Sequence, residues 1–240
     1  AYVFERQSNG SWTQAAKLVA SDGAAGDEYG YSVSVYEGTA LVGAHYDDDK
    51  GGDSGSAYVF ERQSNGSWTQ AAKLIASDGA AYVNFGYSVS VYEGRALVGA
   101  RGDGPKGLYS GSAYVFERQS DGSWTQVAKL IAGDGAFGDA FGISVSLYEG
   151  RALVGAFFDD DKGSDSGSAY VFERQSNGSW TQAAKLVASD GAAGDEYGYS
   201  VSVYEGTALV GAHYDDDKGG DSGSAYVFER QSNGSWTQAA

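Results

Sequence analysis

The chain has 240 residues, 42% of them hydrophobic, with 37 Gly, one Pro, no Cys, no Met and a net charge of −16. Without Cys there is no disulfide staple and no thiolate to attack a substrate or bind a metal. So acidic a surface repels phosphate backbones and anionic lipid, and no run approaches the roughly 18 apolar residues of a membrane helix, so neither nucleic acid nor membrane insertion is expected.

The phrase Ala-Tyr-Val-Phe-Glu-Arg-Gln opens at Ala1, Ala57, Ala113, Ala169 and Ala225, always 56 residues apart, and residues 1–72 recur unchanged as 169–240. A period of this size signals a repeat architecture. Opening inside a repeat and lacking Met, the chain reads as an excerpt of a longer array, with any address signal elsewhere.

In chain order, residues 1–20 are the last two strands of a unit. Ser21 to Tyr29 then connects one unit to the next and carries Asp22, Asp27 and Glu28. Gly30 to Tyr36 alternates apolar and small polar residues, the period-2 pattern of a strand. Glu37-Gly38 turns it into Ala40–Ala44, which has no polar face and reads as a strand covered on both sides. A loop rich in Asp and Gly (45–56) leads to Ala57–Arg62, a β-branched and aromatic strand. Asn65-Gly66 predicts a type I′ hairpin turn, and Trp68 to about Ala76 is the fourth strand, although Gln-Ala-Ala-Lys-Leu also suits a helical turn.

Four antiparallel strands joined this way, repeated, predict an all-β propeller of about four four-stranded blades, part of a larger ring, array or assembly. The units run 21–76, 77–132, 133–188 and 189–240, after the half-unit 1–20. Trp12, Trp68, Trp124, Trp180 and Trp236 are expected to pack blade against blade. In a meander sheet the acidic loop and the blade connection share one face, so nearly all the acid gathers there.

Tyr29-Gly30 or Phe85-Gly86, then a strand, then Gly43-Ala44 or Gly99-Ala100, then Ala-Tyr-Val-Phe, resembles the FG-GAP repeat, the blade of the integrin α-subunit propeller and of many bacterial surface proteins. Phe141-Gly142 with Gly155-Ala156, and Tyr197-Gly198 with Gly211-Ala212, complete the set. The resemblance implies a propeller, usually of seven blades, used in extracellular adhesion and often bearing calcium. His45, Arg101, Phe157 and His213 stand where the family has Pro. The family's cation loop between the first two strands shrinks here to Glu37-Gly38, so its calcium ligands do not transfer.

The strongest metal candidates are Asp47, Asp49 and Asp53, with Asp159, Asp161 and Asp165, and Asp215, Asp217 and Asp221. Hard oxygens on a Gly-flexible loop suit Ca2+, and a cation relieves repulsion between neighbouring carboxylates. The plain alternative is a solvated acidic loop. The second copy breaks the pattern: counted over the 56-residue copies that open at Ala1, Ala57, Ala113 and Ala169, Asp, Glu, Lys and Arg sum to −6, +1, −5 and −6. Arg95, Arg101, Asp103, Lys106 and Tyr109 therefore form a candidate interaction patch that docks on acidic blades.

Arg101-Gly102-Asp103 also spells an adhesion tripeptide of a kind common by chance, and Gly102, Gly104 and Gly107 match a phosphate-loop spacing with no helix to follow. Asn9, Asn65, Asn177 and Asn233 head formal glycosylation sequons that turn chemistry explains equally well. His45 and His213 have no partner set for a catalytic triad or a transition metal. The expectation is a non-catalytic, extracellular or cell-surface structural or adhesive repeat that assembles with copies of itself or with further repeats. The alternative is a calcium-dependent glycan- or protein-binding module.

Overall fold

The computed structural model describes residues 1–240, and every regular element in it is a strand. A hairpin of β1 (Tyr2–Arg6) and β2 (Trp12–Lys17) comes first. Blade 1 is β3 (Val33–Tyr36), β4 (Thr39–Ala44), β5 (Ser56–Arg62) and β6 (Trp68–Leu74). Blade 2 is β7 (Phe85–Tyr92), β8 (Arg95–Ala100), β9 (Ser112–Arg118) and β10 (Trp124–Leu130). Blade 3 is β11 (Val145–Tyr148), β12 (Arg151–Ala156), β13 (Ser168–Arg174) and β14 (Trp180–Leu186). Blade 4 is β15 (Tyr197–Tyr204), β16 (Thr207–Ala212), β17 (Ser224–Arg230) and β18 (Trp236–Gln238). Each blade is an antiparallel meander in sequence order, and the five sheets are not closed into a ring.

The core lies between blades. Leu41 and Val59 of blade 1 share one buried cluster with Val89, Val98, Tyr114 and Phe116 of blade 2. Leu97, Leu153 and their neighbours repeat that arrangement across the next two junctions. Trp68, Trp124, Trp180 and Trp236 pack half-buried against these clusters, whereas Trp12 is 65% exposed. A blade buries both faces only between neighbours, which is why β4, β8 and β12 read as continuous apolar runs.

Three polar ladders run across the junctions. On the turn side, Arg62 pairs with Glu5, Arg118 with Glu61, Arg174 with Glu117 and Arg230 with Glu173, at 2.6 to 3.0 Å. Tyr36, Tyr92, Tyr148 and Tyr204 form a column with ring centroids 4.4 to 4.8 Å apart. The third ladder joins Ser32 Oγ to Gly86 O, Ser88 Oγ to Gly142 O and Ser144 Oγ to Gly198 O, each at 2.8 Å.

One turn differs from its expected type. The β5–β6 connection holds three residues, Ser64, Asn65 and Gly66, between Gln63 and Ser67, whose N–H···O bond closes it at 2.7 Å. Only Gly66 is left-handed (φ 84°), so this is a type I turn with a glycine bulge and not a type I′ turn. Asn65 serves through its side chain, accepting from Ser67 N and Oγ, and Asp121 does the same for Ser123. That shared role explains why Asn and Asp interchange there.

Candidate functional site

The Asp-rich loop and the blade connection do lie on one face. Tyr82 N donates to Gly52 O, and Asn84 N to Asp53 O, so the loop of blade 1 runs along the strand entering blade 2. The corresponding loops of blades 2 and 3 run alongside the next connection in the same way.

Within that face the aspartates have different tasks. Asp47, 4% exposed, accepts from Ser56 Oγ and Tyr58 Oη, and Asp159 repeats this with Ser168 and Tyr170. Lys185 Nζ lies 2.8 Å from Asp134, 3.1 Å from Asp159 and 2.5 Å from Asp161. Lys73 stands in the same relation to Asp22, Asp47 and Asp49, and Lys129 to Asp78 and Asp103. Burial alone would lower the Lys185 pKa, but hydrogen bonds to Asp134, Asp161 and Asp159 outweigh it and keep the ammonium charged. The three acids offer oxygens within 4.8 Å of one another, the spacing of a metal site. A calcium ion does not fit among them while the ammonium holds its place. Asp53, Asp165 and Asp221 stand apart from these sets. Each is left-handed (φ 55–56°), and Asp53 N and Asp221 N donate to Asp48 and Asp216, closing the loop on itself. In blade 4, Asp215 accepts from Ser224 and Tyr226, and neither it nor Asp217 meets a lysine.

The five interaction candidates divide. Arg95 opens β8 beside the Glu93-Gly94 turn, donates to Glu117 Oε1 at 3.0 Å, and lies a strand's length (about 20 Å) from Arg101. It therefore belongs to the turn side and not to a patch with Arg101, Lys106 and Tyr109. Asp103 is committed to Tyr114 Oη and Lys129, so the Arg-Gly-Asp tripeptide does not present its acid freely. Arg101 rests over the Tyr87 ring at 4.2 Å, and Tyr109 is 45% exposed.

His45 lies inside the fold. It is 2% exposed, with its ring between Tyr31 and Tyr46 and its Nε2 3.6 Å from Glu28. Burial pushes its pKa down, against the pull of Glu28. No helix is long and apolar enough to cross a membrane.

A cleft of about 490 Å³ opens on the same face across blades 1 to 3, with Tyr46, Tyr82, Tyr109, Phe137 and Phe158 among its lining. Its aromatic character was visible only as differences between copies, not as any motif.

No curated protein matches the chain. Among solved structures, a protein from Lactobacillus plantarum superposes with a TM-score of 0.60 over 100% of this chain, at 14% identity. The chain spans 61% of that protein's length, and at this identity the likeness carries the fold alone. The model of the FG-GAP repeat matches residues 12–60, 68–116, 124–172 and 180–228. Each match starts at the Trp of one outermost strand and ends at the Phe of the next blade's third strand, so it crosses every blade junction. With four such repeats spanning most of its length, the chain belongs to the FG-GAP repeat family.

Proposed function

We propose that this protein is a non-catalytic structural repeat of the cell surface or extracellular space, whose end blades stack on blades of the same kind, in other copies of the chain or in further repeats. One observation carries the reading. Leu41, Leu97 and Leu153 are 0% exposed because the next blade covers them, whereas Leu209, their counterpart in blade 4, is 44% exposed. Val33 and Val35 at the other end are 61% and 64% exposed, beside the β1–β2 hairpin whose Tyr2 and Phe4 are 57% and 53% exposed. Each end thus offers the apolar sheet surface that internal blades bury on each other, and covering a side chain of this size contributes about 1.5–3 kcal/mol. An exposed apolar face of this kind marks an interaction surface.

The non-catalytic reading rests on the state of the polar groups. The buried carboxylates are held by lysine, tyrosine and serine in a pattern repeated from blade to blade, which suits bracing of loops. The surface location rests on the family, whose repeats are typical of extracellular and surface proteins.

Sedimentation velocity over a range of concentrations tests the assembly. Wild type should associate, and Leu209→Glu should weaken association while leaving the β-rich circular dichroism spectrum intact. A wild-type chain that stays monomeric throughout would remove the reading.

A further inference from the structure

Blades 1, 3 and 4 each place an aromatic ring two residues beyond their second strand, at Tyr46, Phe158 and Tyr214, whereas blade 2 has Gly102. The gap in this row of rings is where the cleft lies. Tyr46 and Phe158 form its walls and are themselves anchored, Tyr46 on His45 at 4.0 Å and Phe158 on Phe157 at 3.7 Å between centroids.

Around that gap the chain departs from its own repeat in one direction. Tyr82 stands where the other copies have Gly26, Gly138 and Gly194. Tyr109 replaces Asp53, Asp165 and Asp221, and Phe137 replaces Ala25, Ala81 and Ala193. All three new rings line the cleft, at 61%, 45% and 73% exposure, so none of them was recruited to fill the core. Tyr82 also has φ 67° and Tyr109 φ 59°, left-handed backbone that a bulky residue adopts only under strain. The opening and the strain are linked. A Cβ at Gly102 would collide with the Tyr82 carbonyl, so an aromatic ring at 102 and this Tyr82 backbone exclude each other.

Besides the hydroxyls of Tyr46, Tyr82 and Tyr109, the polar side chains lining the cleft are Arg101, Asp53 and Asn84. Arg101 has no carboxylate within salt-bridge distance, and its guanidinium carbon lies 4.2 Å from the centre of the Tyr87 ring. Asp53 also lines the cleft and is its one acidic residue. Asn84, 8% exposed, donates its amide hydrogens to His45 O and Asp53 O, and its Oδ1 faces Gly102. Vicinal hydroxyls both donate and accept, and a lining that holds a guanidinium and a carboxylate offers partners of both senses. Aromatic faces take the C–H face of a sugar ring, and the volume falls within the usual range of about 300–1,000 Å³ for ligand sites. Charges in the lining cancel, and a chain of net charge −16 disfavours acidic ligands.

We propose that this cleft binds a neutral pyranose saccharide, stacked on the Tyr82, Tyr109 and Phe137 rings and hydrogen-bonded by Arg101 and Asp53, without calcium. This goes beyond the structural role, and its test does not depend on assembly.

Saturation-transfer difference NMR with the methyl glycosides of glucose, galactose, mannose and N-acetylglucosamine, and with glucuronate, tests it on the full chain. At least one neutral glycoside should give a signal, with a dissociation constant of about 1 mM or tighter, unchanged by a calcium chelator. Tyr82→Gly and Phe137→Ala write in the residues of the other copies and so should fold, and each should weaken binding about tenfold or more. A silent neutral panel, binding by glucuronate alone, loss of signal on chelation, or undiminished binding in both variants would each overturn the proposal.

Discussion

Gly99 in β8 lies so close to the carbonyl of Gly142 in blade 3 that no methyl group fits between them. The same holds for Gly43 against Gly86 and Gly155 against Gly198, so the two glycines of the repeat signature are the two sides of one backbone contact across a junction. Gly99→Ala should therefore destabilise the protein by about 1–3 kcal/mol, the range of overpacking in a fixed interior. Gly211 is the counterpart in blade 4, and there only the Ser200 side chain stands in the way. Gly211→Ala should cost well under half as much, read from urea midpoints of the two variants. Equal losses would mean that the contact is not what requires glycine.

The Lys185 nest makes a second prediction. Lys185→Met leaves Asp134, Asp159 and Asp161 facing one another without a cation, with Asp159 fully inside the fold. Because Asp134 and Asp161 are about half exposed, water screens part of the repulsion, and the loss should be about 2 kcal/mol, below the range for a fully buried pair. Calcium should raise the melting temperature of Lys185→Met more than that of wild type, since only the variant has room for it. A chelator should reverse that gain. An equal calcium response in both proteins would show that the ammonium does not occupy the ion's place.

The fold was legible because period, alternation and turn residues are local signals, and the pairing of acidic loop with blade connection followed from meander geometry. The lysine was not legible. Lys73 meets Asp22 across 51 positions of chain, and a lysine in an outer strand is ordinarily a solvated side chain. Grouping Arg95 with Arg101 failed for a related reason: six residues apart in sequence become opposite ends of an extended strand. The hairpin type is not legible from Asn-Gly alone, because that pair suits two turns and the Gln63–Ser67 bond that sets the loop length decides between them. The cleft lay hidden in Gly102 and Tyr82, each unremarkable alone and informative only beside the other copies.

Acid titration should show two opposed effects. His45 holds its proton less readily folded than unfolded, so its contribution is present above its ordinary value of 6.5 and is lost as pH falls below it. His45→Phe, the residue blade 3 carries as Phe157, should flatten that loss. Asp139 behaves in the opposite sense: burial raises its carboxyl to about 6, with Asp159 and Asp160 adding to the shift. Its protonated form favours the fold, so this stability is full below about 3.8 and fades as pH rises through about 6. Asp139→Asn should then stabilise the protein at pH 7.5 by about 1–2 kcal/mol and gain little at pH 4. Melting curves at the two pH values decide it, and an unchanged difference between them would contradict the shift.

Tyr82 offers the last test, of strain at the cleft. Its φ of 67° is positive like those of Gly26, Gly138 and Gly194 (90–103°), where glycine pays no Cβ penalty, and Tyr82 is 61% exposed, so little burial offsets the backbone cost. Tyr82→Gly removes that cost but makes the unfolded chain more flexible, which opposes the gain by about 0.5–1 kcal/mol. Relief of a left-handed tyrosine is worth about 1–2 kcal/mol, so the net change should be stabilising by up to about 1 kcal/mol. Tyr82→Asn, which tolerates the left-handed region without glycine's flexibility, should stabilise at least as much. If both variants melt lower than wild type, the Tyr82 ring contributes packing that outweighs its strain, and the backbone at this position is not held against its preference.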